Sequence, residues 1–304
     1  DGKDVYIAGI MQHIEEAGIH SGDSTCVLPA YELSVVHRNI IEDYTKALAL
    51  ELNTIGLINI QFAIKNNQVF VLEVNPRASR TIPFVSKVTD IPLAKLASQI
   101  AVNYKIKDFD LSKKINKNLI AVKKPVFPFN KFPEQSIFLS PEMKSTGEVI
   151  GLDTHLGSAY AKAEFGAGNT IPLEGTIFIS VNDIDKMKVI PIARDFYELG
   201  YKIIATRGTH DLLKQNGIKC KRISKVGEAR PNVVDYIKNQ DVQFIINTPL
   251  GQKSRYDEYE IGKSAIRHKI PNTTTISGAQ AALRAIRSLK NSKMSYNSLQ
   301  NIFK

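Results

Sequence analysis

The second half of the chain constrains the fold most, because from residue 174 onward short apolar segments alternate with helical ones. Such alternation is typical of a parallel sheet covered by helices. Pro191 lies inside the first predicted helix and should kink it or mark a late start. The predicted strands contain TIFISV, YKIIAT, KCKRIS, VQFIINT and TTTIS, and the predicted helices lie near 185–199, 209–216, 230–239, 254–267 and 278–289.

The first half of the chain has a different organisation. Apolar residues recur at helical spacing over 34–54, and Gly56 is placed to end that helix. A β-hairpin over 57–75 and a helix over 92–102 follow. Residues 105–140 are rich in Lys, Asn, Pro and Phe and are predicted to be irregular. A short helix near 155–166 leads into a glycine-rich linker, which puts a domain boundary between 160 and 172.

Composition excludes several classes of protein. With 304 residues, 43% of them hydrophobic and 23% charged, the chain is typical of a globular protein of two domains. No apolar run approaches the roughly 18 residues of a membrane span, and no signal peptide is visible, so we expect a cytoplasmic protein without membrane contact. Cys26 and Cys220 are expected to be buried free thiols. The chain begins with Asp1, and we expect it to be excised from a longer protein.

The net charge of +10 raises the question of nucleic-acid binding. The lysines are dispersed, however, and no zinc-finger spacing, aromatic RNA-binding stripe or basic helix is present. The charge therefore favours small anionic ligands over nucleic acid.

Residues 61–77, QFAIKNNQVFVLEVNPR, contain the strongest candidate site. Alternation places Glu73 and Asn75 on one face of the second hairpin strand. A loop of three or five residues centred on Asn67 would set Gln61 directly opposite Glu73. One carboxylate, two amide oxygens and the nearby Arg77 are what Mg²⁺ and a polyphosphate require. The alternative is the solvated polar face of an ordinary hairpin.

Longer strings around this hairpin carry a family resemblance. The EVNPR segment after a QFA strand resembles the metal-binding strands of ATP-grasp enzymes. HIEEAGIHSGDS (13–24), EVNPRASRTIPFVSK (73–87) and PFNKFP (128–133) resemble the second ATP-using half of the carbamoyl phosphate synthase large chain. The resemblance extends to about Leu289. It implies an α/β protein: the C-terminal part of an ATP-grasp domain (antiparallel sheet plus helices) over 1–161, then a parallel-sheet, methylglyoxal-synthase-like allosteric domain over 162–304.

The resemblance also implies the nucleotide site. It makes Gln61 and Glu73 contact both ATP and metal, with Asn75 as a third ligand of Mg²⁺ or Mn²⁺ and K⁺ as a further candidate ion. Arg77, in the catalytic role, and Arg80 would meet phosphate. From the residues alone, the 18–22 loop is equally a structural turn, and His20 is a hydrogen-bonding wall rather than a general base. The residues that align with the ATP-site lining are Gly18, Ile19, His20 and Ser21.

The implied activity is that of an ATP-dependent ligase, which phosphorylates carbamate to carbamoyl phosphate for pyrimidine or arginine synthesis. The family's glycine-rich flap, adenine-pocket lysine and upstream phosphate arginine precede the first residue of this chain. We therefore expect the isolated chain to be inactive. Its implied partners are a glutaminase small chain and the remainder of the large chain, assembled as an oligomer of heterodimers. The alternative is a nucleotide-sensing, docking module without catalysis.

The 205–209 segment, ATRGT, is the candidate regulatory site, because it joins a strand end to a helix start where phosphate binds. A tight turn is the alternative. The resemblance implies a nucleotide effector, UMP, with a phosphoribosyl compound as a candidate activator. The aligned effector residues are Lys186, Thr206, Thr209, Lys225 and Asn247.

Two departures from the family pattern affect regulation. Pro249 stands where relatives carry a nucleotide-contacting threonine. Of three acidic positions in the ornithine site of enteric relatives, Glu15 and Asp23 are present, but the third is Lys124. A lysine there would repel an ammonium group, so we expect weak or absent ornithine activation.

Two other enzyme classes fit this sequence less well. A free-standing methylglyoxal synthase needs an acidic residue after its 247–251 turn, where this chain has Gln252 and Lys253. Another ATP-grasp ligase, such as a biotin carboxylase or a purine-synthesis ligase, is disfavoured by the 13–24 string and the attached second domain.

Overall fold

The computed structural model describes residues 1–111, 118–129, 131, 139–248 and 252–303. Its first part contains a four-stranded antiparallel sheet of order β1-β2-β5-β6, a separate two-stranded hairpin β3-β4, and four α-helices. The elements are β1 Gln12–His13, β2 Cys26–Leu28, α1 Val35–Glu51, β3 Asn59–Lys65, β4 Gln68–Asn75, α2 Thr81–Thr89, α3 Leu93–Ala101, β5 Ile120–Val126, β6 Gly147–Asp153 and α4 Leu156–Gly166.

The second part is a five-stranded sheet of order β11-β10-β7-β8-β9, in which all neighbouring strands run parallel. Helices cover both faces of this sheet, as the alternating sequence predicts. The elements are β7 Thr176–Val181, α5 Lys186–Glu198, β8 Lys202–Thr206, α6 Arg207–Gln215, β9 Lys221–Ile223, α7 Val233–Lys238, β10 Phe244–Thr248, α8 Gln252–Arg267, β11 Asn272–Thr273, α9 Ile276–Asn291 and α10 Leu299–Ile302.

The predicted fold class is confirmed: an antiparallel sheet with helices precedes a parallel sheet with helices. Two local predictions were wrong. The 105–140 segment is not irregular throughout, because it contains β5. The first helix ends at Glu51 rather than near Gly56, and Asn53, just after it, takes a positive φ of 47°. Of the two alternatives for Pro191, the late start is excluded, because α5 begins at Lys186, and the kink stays a prediction. The α2 helix was not predicted.

The first sheet lies between two apolar layers. Leu28, Ala121 and Leu152 face α2 and α3, while Val27 and Val122 face α4. Ala281 and Ala285 of α9 belong to the second layer, so a helix of the second part packs against α4 on this face of the first sheet. The proposed boundary between residues 161 and 162 falls inside α4 and stays a prediction.

Cys26 is buried as predicted, whereas Cys220 is only half-buried, and both are free. In the part of the chain that the structure describes, no helix combines the length and apolar character that crossing a bilayer requires.

Candidate functional site

The hairpin pairs Gln61 with Glu73, as the sequence predicts, but the turn that joins the strands is not the predicted one. Its turn has two residues, Asn66 and Asn67, both with positive φ, rather than three or five. Such a turn is the one that matches strand twist in tight hairpins. A two-residue turn alone would set Gln61 against Leu72; a β-bulge between Gln61 and Phe62 shifts the register and restores the pair.

The oxygen-bearing side chains of the hairpin lie close together. The Asn75 Nδ2 donates a 2.6 Å hydrogen bond to Glu73 Oε1, which fixes the amide so that its Oδ1 remains free to accept or to ligate. One carboxylate and two amide oxygens are a suitable ligand set for a hard cation. No group of three or more His, Cys, Asp or Glu side chains that could hold a metal occurs among the described residues, and the predicted set contains one such side chain. The metal assignment therefore stays a prediction.

The 18–21 loop reaches this hairpin. Gln61 Nε2 donates to the Ile19 carbonyl at 3.4 Å, so the two predicted parts of the nucleotide site meet. Gly18 takes a φ of +98°, which favours glycine at that point. His20 Nδ1 accepts from Gly22 N at 3.0 Å. This ring nitrogen is already engaged, and the predicted wall role of His20 stays a prediction.

A buried polar network holds the loop in place, and sequence reasoning missed most of it. Lys123 is 1% exposed; its Nζ donates to the Ser21 carbonyl at 2.8 Å and lies 3.9 Å from Glu148 Oε2. Asp23 is fully buried and accepts from Lys144 N at 2.7 Å and Ser145 N at 2.9 Å. The sequence signal for this network is the pair of adjacent lysines, Lys123 and Lys124, inside an apolar strand. Because side chains alternate along a strand, one of the two must point to each covered face of the sheet.

The two arginines after the hairpin, Arg77 and Arg80, differ in exposure and in their hydrogen bonds. Arg77 is exposed, and its Nη1 donates to the Ala78 carbonyl at 3.2 Å. Arg80 Nη1 donates to the carbonyl and hydroxyl oxygens of Ser145, at 3.0 and 3.2 Å. Arg80 is thus tied to the loop that Asp23 holds, which leaves Arg77 as the more accessible phosphate candidate.

His13 gives the first testable consequence of this network. Burial, with the nearby charge of Lys123, lowers the pKa of His13 from 6.5 to about 4. The unfolded chain therefore binds more protons than the folded chain between these values, so stability present above pH 6.5 is lost as pH falls toward 4. Because His13 is only partly buried, we expect a loss of no more than about 2 kcal/mol from it.

The measurement is urea unfolding at pH 7 and pH 4.5 of the natural chain and of His13→Gln. The variant should lose less stability between the two pH values. The raised pKa values of Glu15 and Glu148 act in the opposite direction but are present in both proteins. Equal pH dependence of the two proteins would contradict the assignment.

The predicted effector residues converge at one edge of the second sheet. β7, β8 and β10 are parallel neighbours, so their carboxyl ends lie together. Thr206 ends β8, and its Oγ1 lies 3.1 Å from Ser180 Oγ; Thr209 Oγ1 accepts from Val181 N at 3.2 Å. Asn247 pairs with Ser180 across the sheet. Sequence reasoning had not singled out Ser180.

Two lysines border the same edge. Lys186 begins α5, and its Nζ lies 2.5 Å from Asp183 Oδ1. The same Nζ lies 3.5 Å from the position that a Cβ atom on residue 208 would occupy. Its hydrogen bond lowers the pKa of the exposed Asp183 carboxyl, and Lys225 adds to this effect. An incoming phosphate would therefore compete with Asp183 for Lys186. Pro249 and half of the PFNKFP string (residues 130, 132 and 133) lie outside the described residues.

Comparison with known proteins finds a matching family profile in each half of the chain. The family profile described as "Carbamoyl-phosphate synthase L chain, ATP binding domain" matches residues 2–109, and the profile described as "MGS-like domain" matches residues 188–274. The chain is 52% identical over 301 residues to a carbamoyl phosphate synthase large chain of Archaeoglobus fulgidus, and covers 28% of that protein. It is 51% identical to that of Acidobacterium capsulatum, with the same 28% coverage. A "Carbamoyl phosphate synthase large chain, C-terminal section" of Aquifex aeolicus is 45% identical over the whole chain, which covers 60% of it.

Proposed function

We propose, from the premise that the chain belongs to the carbamoyl phosphate synthase large-chain family, that it supplies one wall of an ATP site for the phosphorylation of carbamate, together with a nucleotide-responsive regulatory domain. The chain spans about 28% of the first relatives it matches, so the activity of the whole enzyme is part of the proposal. The observation that carries it is the meeting of the Gln61–Glu73 pair with the Ile19 carbonyl.

The roles follow from the contacts. Gln61, Glu73 and Asn75 would hold Mg²⁺ or Mn²⁺, which supplies charge neutralisation between phosphate groups when bound. The exposed Arg77 guanidinium would meet the phosphate oxygens with its planar fork. The 18–21 loop, held by Lys123, would line the nucleotide cleft. Phosphoryl transfer depends mainly on positioning and charge, so none of these side chains needs to act as a covalent nucleophile.

The second domain is proposed to sense a nucleotide, with UMP as the first candidate. Thr206 and Thr209 lie at the start of α6, where free backbone N–H groups attract phosphate, and Lys186 lies beside them. This domain is the basis of the second candidate function, a regulatory and docking module that does not catalyse.

The remaining proposals concern the whole enzyme. Its partners would be a glutaminase small chain and the rest of a large chain, assembled as an oligomer of heterodimers in the cytoplasm. The product would serve pyrimidine synthesis, arginine synthesis or both. The isolated chain is proposed to be inactive, because it spans only about 28% of the large chains that it matches.

Thermal unfolding in the presence of nucleotides tests these proposals on the chain itself. A ligand that binds only the folded state at about 100 times its Kd stabilises by about 2.7 kcal/mol, or roughly 5 °C for a chain of this size. We expect UMP to produce such a rise and Mg-ATP to produce none. Lys186→Met should lose the UMP effect, while Lys188→Met, on the exposed side of the same helix, should keep it.

Two outcomes would contradict parts of the proposal. Stabilisation by Mg-ATP, or carbamate-dependent ATP turnover by the chain alone, would show that it contains a self-sufficient active site. A UMP effect that survives Lys186→Met unchanged would place the effector elsewhere.

A further inference from the structure

The segment that follows α9 runs from the second domain back over the first. The α9 helix ends at Asn291, and the Oγ of the next residue, Ser292, donates to the Ser288 carbonyl at 3.1 Å. Met294 then packs against the apolar layer between the first sheet and α4. The segment therefore starts on the face of the first sheet that α4 and α9 cover.

The end of the segment lies on the opposite face of the same sheet. The short helix α10 begins after Ser298, whose Oγ accepts from Asn301 N at 3.3 Å. Three half-buried apolar side chains of this helix and the residue after it pack against the layer that α2 and α3 form with the sheet, whereas Gln300 and Asn301 between them are exposed. The three are Leu299, Ile302 and Phe303.

A cation–π contact lies where the segment passes from one face to the other. β6 is an edge strand of the first sheet, and Lys162 of α4 reaches its end. The Lys162 Nζ donates to the Leu152 carbonyl at 2.9 Å and lies 2.8 Å from Asp153 Oδ2. The same Nζ lies 5.9 Å from the centre of the Tyr296 ring, within cation–π range. The segment thus passes the end of β6 between its two anchors.

This path joins the two domains a second time. The first junction is the packing of α9 on α4. The second ends in the layer that contains Phe84, Val85 and Val88 of α2. The α2 helix begins after Arg80, one of the two phosphate candidates, which donates to the Ser145 carbonyl. A few half-buried side chains form this second junction, and contacts of that kind open before the core does.

We propose that residues 292–303 form a clasp that couples the second domain to α2, so that loosening of the second domain reaches the helix that follows Arg80. The clasp needs both of its anchors, the covalent one on α9 and the apolar one on the α2 and α3 layer. The proposal goes beyond the proposed function and does not depend on it, because it concerns how two domains of this chain stabilise each other.

The first test is amide hydrogen exchange of the full chain, followed by mass spectrometry over α2. Joint replacement of Ile302 and Phe303 by alanine removes most of the apolar anchor, so exchange in α2 should become about tenfold faster or more. The matched control replaces Gln300 and Asn301 by alanine on the exposed side of the same helix, and should leave the rate within about threefold. Equal exchange rates in the two double variants would overturn the proposal.

The second test measures the coupling itself. Ile177 is a fully buried residue of β7 in the core of the second domain. Ile177→Val should speed exchange in α2 by about three- to tenfold, because the clasp is released when the second domain opens. In the background of Ile302→Ala with Phe303→Ala, the same substitution should leave exchange in α2 unchanged. The α4 helix packs on α9 directly, so its exchange should respond to Ile177→Val in both backgrounds. A response of α2 that is equal in both backgrounds would show that the clasp carries no coupling.

A pair of single variants keeps the proposal testable if the double alanine variant does not fold. Phe303→Leu keeps an apolar side chain in the anchor and should leave exchange in α2 within about threefold of the natural rate. Phe303→Ala removes most of that side chain and should exceed this limit. Similar rates for the leucine and alanine variants would contradict a requirement for the apolar anchor.

Discussion

Replacement of Gly151 by alanine is expected to lower Tm by about 6 °C or more, or to leave the chain unfolded. Gly151 lies on β6, where α4 crosses the strand so closely that an added Cβ would overlap the Ala159 carbonyl oxygen and lie 2.6 Å from Ala163 N. These atoms are backbone and have no rotamer to change, so β6 and α4 would have to move apart. Forced separation in a packed core costs about 3 kcal/mol or more.

The matched control for this substitution lies on the same strand. Gly147 is four residues earlier on the same face, and a Cβ there would meet no atom within 4 Å. Gly147→Ala should therefore leave Tm within about 2 °C of the natural value. The measurement is calorimetry of both variants, and a similar Tm for the two would contradict the account of the β6–α4 contact.

In the hairpin, the sequence predicted the residue pairing but not the turn or the bulge. The predicted pairing of Gln61 with Glu73 is confirmed, although it depended on a loop of three or five residues that the chain does not form. The turn type was wrong, since two adjacent asparagines with positive φ form a two-residue turn and a bulge then corrects the register. A bulge leaves no pattern in hydrophobicity that a single sequence reveals.

The buried charges show a different limit. Lys123 on β5 and Glu148 on β6 lie far from the 18–23 loop in the sequence, and only the folded chain brings Lys123 to the Ser21 carbonyl beside Glu148. By contrast, the strand–helix junction at Thr206 follows from the alternating pattern of the second half. Asn247 came only from the family resemblance, and the structure brings it to the same sheet edge as Thr206, because the carboxyl ends of parallel strands lie together.

Glu73 carries the only full charge among the three proposed metal ligands. In an enzyme in which this chain forms part of a complete large chain, Glu73→Gln should lower carbamate-dependent ADP formation by about 100-fold or more. A metal ion at a phosphoryl centre contributes several kcal/mol of charge stabilisation, and each 1.36 kcal/mol is a factor of ten in rate. The amide keeps an oxygen able to accept from Asn75 Nδ2 but removes the negative charge that attracts the cation.

The readouts separate this role from a structural one. Glu73 is exposed, so Glu73→Gln should leave Tm within about 2 °C of the natural value while activity falls. Glu51→Gln, an equal change of charge at the exposed end of α1, should keep full activity. High Mn²⁺ should restore part of the lost rate, because a weakened site still fills when the metal is in excess. A Glu73→Gln rate within threefold of the natural enzyme would show that the carboxylate holds no essential metal, and the solvated-hairpin alternative would then stand.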